Sequence, residues 1–170
     1  MKKLLLTLFA AFLLSGCAAA PQANSEYSAE DINFAEMMIP HHEQAIVMSD
    51  IALTNSSSEE ILVLAQEIKD AQSPEIELMK SWTGVDSSAH MGHMMDGMLS
   101  ESQIQQLRDS EGATFDRLFL EGMIAHHEGA IAMAQKVTGS RNKEVAALAA
   151  AIIEAQEKEI AFMRELVKFY

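Results

Sequence analysis

The sequence predicts an all-α protein: a four-helix bundle built from two repeated helical hairpins and joined by a Met- and His-rich crossover. Three observations lead there. First, the 170-residue chain contains its main unit twice. Phe34–Met48 matches Phe119–Met133 at an offset of 85, with ten of fifteen positions identical, and Ala71–Lys80 matches Ala155–Arg164 at an offset of 84. Second, both repeated segments space their apolar residues by three and four, the period of a helix face. Third, no alternating apolar and polar run of strand type occurs, and aromatic residues make up only 6% of the chain.

The amino terminus is a targeting device rather than part of the fold. Lys2 and Lys3 precede an apolar run, Leu4 to Leu14, of signal-peptide length and too short to span a bilayer as a permanent helix. Leu14-Ser15-Gly16-Cys17 resembles the lipobox of bacterial lipoproteins, in which the chain is cut before the cysteine and the cysteine carries the lipids. Residues 1–16 are then the signal, and Cys17 the lipidation site. Residues 17–28 form a small, polar tether containing Pro21, Gln22 and Asn24, and 29–170 the domain. Cys17 is the only cysteine, so the domain has no thiol for disulfides, metal ligation or nucleophilic attack. Removal of 16 residues leaves 154, enough for one core. It also removes two of 12 basic residues, leaving 10 against 25 acidic ones, a charge of −15 with His neutral. Such acidity argues against nucleic acid as a partner.

Within the domain, Ser28 with Asp31 and Ser57 with Glu60 resemble capping boxes at helix starts. Thr54-Asn55-Ser56 and Thr138-Gly139-Ser140 read as the breaks inside each hairpin. The repeats run over about 29–82 and 114–170. Apolar spacing continues through Ile61, Leu64, Ala65, Ile68 and Ala71, and again through Leu148, Ile152, Ala155, Phe162 and Leu166. Pro40 and Pro74 fall inside predicted helices, where each is expected to bend the helix or free a carbonyl. The linker, 83–113, carries Gly84, Gly92 and Gly97 and then a short helix capped by Ser100 and Gln103.

The chemistry lies in how Met and His are distributed. All six histidines fall in three groups: His41-His42, His126-His127, and His90 with His93. Apart from the initiator, every methionine tracks these groups or the helices paired with them. At 100° per residue, Met38 and His42 share the centre of one face, with His41 at its edge near Met37 and Met48. Met123 and His127 repeat the arrangement, with His126 and Met133 on the flank. On the partner helices, Gln72, Glu75 and Met79 share a face, as do Gln156, Glu159 and Met163. Glu75 and Glu159 are thus expected to point inward, and an inward carboxylate needs a partner. A histidine so bonded through one ring nitrogen keeps the other for a metal. Thioethers beside imidazole make a soft site, suited to Cu(I) and Ag(I), while imidazole also accepts Cu(II). The linker adds His90, Met91, His93, Met94, Met95 and Met98, six potential ligands in nine residues. Against this stands a plainer reading, in which the methionines fill the core and each His-Glu pair is a buried hydrogen bond.

The paired patterns Met-Ile-Pro-His-His-Glu-Gln-Ala and Met-Ile-Ala-His-His-Glu-Gly-Ala, each followed by Ala-Gln…Glu-Ile…Met, resemble a bacterial family. This is the domain of unknown function 305 family, ferritin-like helical proteins that include CopM-type copper-binding envelope proteins. The lead-in Phe115-Asp-Arg-Leu-Phe-Leu-Glu121 fits as well, and the resemblance covers roughly Ala29 to Tyr170. It implies a four-helix bundle that binds copper or silver in the cell envelope, supporting metal buffering, storage or resistance. His41, His42, Met48, Met79, His126, His127, Met133 and Met163 stand at the motif positions. Gly122 takes the place that Met37 holds in the first copy, so the second copy lacks that thioether.

The expected function is therefore metal binding without catalysis, in a lipoprotein facing the periplasm or exterior, on the outer membrane if the cell is Gram-negative. Metal ions, the membrane through the lipid, and envelope copper-handling proteins are the expected partners. One alternative is a di-iron carboxylate enzyme on a ferritin-like bundle. That chemistry needs Glu-x-x-His on two helices, yet Ile39 and Ile124 stand three residues after Glu36 and Glu121. The other is a metal-free structural or interaction module of the envelope.

Overall fold

The computed structural model describes residues 26–170; the signal segment, Cys17 and most of the tether lie outside the described residues. Five helices follow in order: α1 Ala29–Asn55, α2 Glu59–Lys80, α3 Glu101–Arg108, α4 Gly112–Ala134 and α5 Lys143–Leu166. Short 3-10 turns, Gln135–Val137 and Val167–Phe169, continue α4 and α5, and there is no strand among the described residues. Helices α1, α2, α4 and α5 form the bundle, and the segment from Ser81 through α3 crosses between its halves. No described helix is long and apolar enough to cross a membrane.

Local chemistry sets most boundaries as the sequence implies. Ser28 and Asp31 form a reciprocal capping box at α1 (2.8 and 3.1 Å), and Ser100 with Gln103 does the same at α3. The α2 cap falls one residue later than expected, on Ser58, whose hydroxyl accepts from the Ile61 N–H. The cause is tertiary. The Ser56 hydroxyl donates to the Asp116 carboxylate and accepts the Ser58 N–H, which winds the turn one residue further. Pro40 and Pro74 lie within α1 and α2 without ending them.

Helix α1 pairs with α2, α4 pairs with α5, and the two hairpins meet along α1 and α4. Each of these central helices thus has two neighbours to satisfy. In α1, His42 turns toward α2 while His41 turns toward α4. The face centred on Met38 places His41 at its edge, yet His41 is completely buried, because α1 packs on two sides.

The apolar core is divided. One half gathers Phe34, Met38, Ile39, Ile76, Met79 and Trp82 with Met133, Val145 and Leu148. The other gathers Met48, Ile61, Leu64 and Ile68 with Phe115, Phe119, Met123, Ile160 and Met163. Both halves contain residues of all four bundle helices, and His41, His42, His126 and His127 belong to neither. The turn between the helices of each hairpin is tied to the opposite copy. The Ser56 hydroxyl donates to buried Asp116 at 2.5 Å, and buried Asp31 makes the matching side-chain bond with Ser140. A buried carboxylate without such a donor would cost several kcal/mol, on the order of an unpaired charge.

Candidate metal centre

The polar layer is built by helical repeat. Three and four residues separate Met38, His41, His42 and Ala45, so this stretch of α1 presents histidine to α2 and to α4 within one turn. His42 Nε2 donates to Glu75 Oε2 at 2.8 Å, and His127 Nε2 donates to Glu159 Oε2 at 2.6 Å. Both rings are fully buried, and the two carboxylates are each about one-fifth exposed, as the inward reading of the partner helices requires. A carboxylate only accepts, so in the neutral ring Nε2 carries the proton and Nδ1 keeps its lone pair. Neither Nδ1 has a hydrogen-bond partner.

Between these pairs lie His41 and His126, with ring centroids 3.8 Å apart. His41 Nε2 bonds the Asp96 carbonyl at 3.2 Å, and its Nδ1 is without a partner. Neither ring nitrogen of His126 forms a well-aligned hydrogen bond, although the His41 backbone approaches it. Burial is the main reason both rings resist protonation. It holds His41 at about 3, with the neighbouring His42 and His127 pushing the same way against the Asp96 carbonyl. His126 lies well below the ordinary value, through burial and then the charges that His41, His127 and His42 would carry. His41 and His126 are therefore a buried pair of neutral nitrogen bases, with His42 and His127 beside them.

Buried sulfur lies in both halves of the core. Met38 and Met79 are fully buried in the first half of the core, and Met123 and Met163 are fully buried in the second. Met48 and Met133 sit in opposite halves, as the repeat requires. The crossover residues are placed apart. His90 and His93 face one another through their Nδ1 atoms at 3.2 Å, with Met91 and Met94 68% and 61% exposed. Met95 leans on the first half of the core, and Met98 is half-buried beside Leu99. Glu43 and Glu128 point outward, in ion pairs with Lys80 (2.9 Å) and Arg164 (2.6 Å).

Three further buried polar side chains stand outside the expected site residues. Ser49 Oγ, both amide atoms of Gln72 and the Gln156 Oε1 are buried without partners. The two glutamines were placed on the inward face by the helical period, and their burial beside Glu75 and Glu159 is what marks them. Native interiors rarely leave so many polar atoms unpaired, and the bundle helices that carry them also carry bare imidazole nitrogens and buried thioethers. That donor set fits a soft cation. Among the described residues no three His, Cys, Asp or Glu side chains are already arranged around a metal position. An ion held here therefore draws on sulfur as well as nitrogen, or on a shift of the residues that cover the site.

Comparisons with known proteins agree with this fold. The DUF305 protein of Streptomyces coelicolor superposes with a TM-score of 0.75 at 29% identity, covering 81% of this chain and 91% of that one. A DUF305 fragment from Deinococcus radiodurans gives 0.75 at 27%, covering 84% and 98%. CopM in its Cu(II)-bound form gives 0.72 at 33%, covering 82% and 97%, and CopM has also been solved with Cu(I) and with silver bound. No curated protein sequence matches the chain. The family described as Domain of unknown function (DUF305) matches residues 31–167, and this chain is a member of it.

Proposed function

We propose that this protein is an envelope lipoprotein that takes copper and silver ions as cargo through Met and His, to buffer, store or detoxify them, with no catalytic chemistry of its own. The observation that carries the reading is the buried histidine layer. It interrupts an otherwise apolar core with imidazole nitrogens that have lone pairs and no partners. Filling that layer with apolar side chains would be the cheaper way to stabilise a bundle, so its donors are better explained by a ligand. Neutral imidazole is the metal-binding form, and burial keeps His41 and His126 in it. The Glu75 and Glu159 carboxylates orient His42 and His127. Buried thioethers favour Cu(I) and Ag(I) over zinc. The relatedness to CopM, which has been solved with each of these ions, supports the same choice. The di-iron alternative lacks its carboxylates, because Glu75 and Glu159 are each engaged by a histidine and Glu43 and Glu128 face solvent.

Native mass spectrometry of the mature domain, titrated with Cu(I) under reducing conditions, tests this. A variant with His90→Ala, Met91→Ser, His93→Ala and Met94→Ser should bind fewer ions yet retain Cu(I), whereas adding His41→Ala and His126→Ala should remove the retained fraction. Complete loss of binding in the first variant would return the bundle residues to core packing.

A further inference from the structure

The two copies of the repeat are not equal, and they differ where one crossover has to pass between them. Gln44 in the first copy is Gly129 in the second, and Met37 is Gly122. All three of Gln44, Gly129 and Gly122 meet the crossover segment Asp96–Leu99. The Gln44 amide clamps Leu99 at two points: its Nε2 donates to the Leu99 carbonyl at 2.9 Å, and its Oε1 accepts the Leu99 N–H at 2.7 Å. Gly129 lets the backbone through, since a Cβ there would overlap the Asp96 carbonyl. Gly122 makes room for Leu99, whose methyl carbons would stand 3.2 and 3.3 Å from a Cβ. Gly97, at φ +84°, lies against the Ala125 carbonyl and the His126 Cα so closely that it too can carry no side chain.

The segment thus runs directly over the His41–His126 pair. Its Asp96 carbonyl takes the His41 Nε2–H, and both rings beneath are fully buried. Shortly before it in the chain come the exposed His93 and Met94, and next to His93 Gly92 sits at φ +81° with nothing near the space of its missing side chain. Glycines at positive φ at residues 92 and 97 are places where the backbone can turn without strain from a Cβ. We propose that Asp96–Leu99 is a strap that gates the buried His41–His126 pair to a soft monovalent cation, with Gln44 as its latch. The inference rests on the metal-binding reading above and adds a route. An ion held by His93 and Met94 at the surface sits on the chain that leads directly into the strap that must lift to expose the pair. Lifting breaks the Asp96 contact and leaves His41 without a backbone partner at Nε2, ready to turn toward the ion. Gln44 itself is only half-buried, so water competes for its two bonds and the latch is reversible.

Gln44→Ala tests the latch, and Gly129→Ala tests it independently by pushing the strap off α4 with a residue that favours the helix. Cu(I) is supplied as a coloured chelate, and its transfer to the full mature protein is followed by stopped-flow absorbance, with final stoichiometry from native mass spectrometry. Gln44→Ala should load about tenfold faster at unchanged stoichiometry, the scale expected when two partly exposed hydrogen bonds are lost. Gly129→Ala should also load faster, and combining it with Gln44→Ala should add little, because both act on one strap. Amide hydrogen exchange at Leu99 should quicken in step. Wild-type rates in both single variants, at wild-type stoichiometry, would overturn the gate and leave the metal-binding reading standing. A wild-type protein that takes no Cu(I) from the chelate even at equilibrium would overturn both.

Discussion

Replacing Met38, Met79, Met123 and Met163 together by Leu removes sulfur while keeping the four positions apolar and of similar volume. All four side chains are fully buried, two in each half of the core. Volume-conserving hydrophobic exchanges of this kind usually cost less than about 1.5 kcal/mol each, so the summed loss should stay below about 6 kcal/mol. The two pairs lie in separate core halves, so their effects should be close to additive. Thermal unfolding of the metal-free proteins measures that loss. Cu(I) affinity should fall by at least about tenfold, near 1.4 kcal/mol, while Cu(II) binding through imidazole is largely kept. Competition against a Cu(I) chelator gives the affinities. If the variant folds and matches the parent for Cu(I), the inward methionines are filler and the soft-site reasoning fails.

Two further outcomes are expected, one from the structure and one from the sequence. His41 titrates at about 3 and His126 well below its ordinary value of 6.5, so the folded metal-free protein binds fewer protons here than the unfolded chain. Stability should be complete above about pH 6.5 and fall as pH drops below it; thermal unfolding at about pH 7.5 and about pH 5 should show the loss, and His41→Leu with His126→Leu should flatten it. Equal pH dependence in that variant would contradict the assignment. The proposed lipid anchor, read from Leu14-Ser15-Gly16-Cys17, predicts that Cys17→Ala loses lipid labelling and leaves the membrane fraction, and unchanged membrane attachment would rule it out.

Much of the site was legible because a helix repeats every 3.6 residues. That period puts Glu75 and Glu159 on the same inward side as the histidines, and the structure joins Glu75 to His42 at 2.8 Å and Glu159 to His127 at 2.6 Å. His41 was misplaced for a related reason. A wheel drawn for one helix assumes one buried face, whereas α1 and α4 lie between neighbours and bury two. Gly122 reads in sequence as a missing thioether, and its structural role is to admit Leu99. Nothing local announces this, since it depends on the path of a segment more than twenty residues earlier. The Ser57 cap likewise moved to Ser58 because Asp116, sixty positions beyond Ser56, claims the Ser56 hydroxyl. Propensity sees neighbours in the chain, and these choices were made by neighbours in space.

The exchanged ties between hairpins, Asp31 with Ser140 and Asp116 with Ser56, carry a consequence for ancestry. Each hairpin finishes the turn of the other, with the same residue types in the same roles. That is the signature of an isologous contact, in which one patch meets its own copy across a twofold axis. A single hairpin of this kind would complete itself only by pairing with a twin. Joining the twins into one chain makes that pairing intramolecular and independent of protein concentration. It also releases each copy from having to match itself. Within one polypeptide, position 44 can carry an amide while its counterpart at 129 carries no side chain. A homodimer, bound to change both sides at once, could not have made that trade.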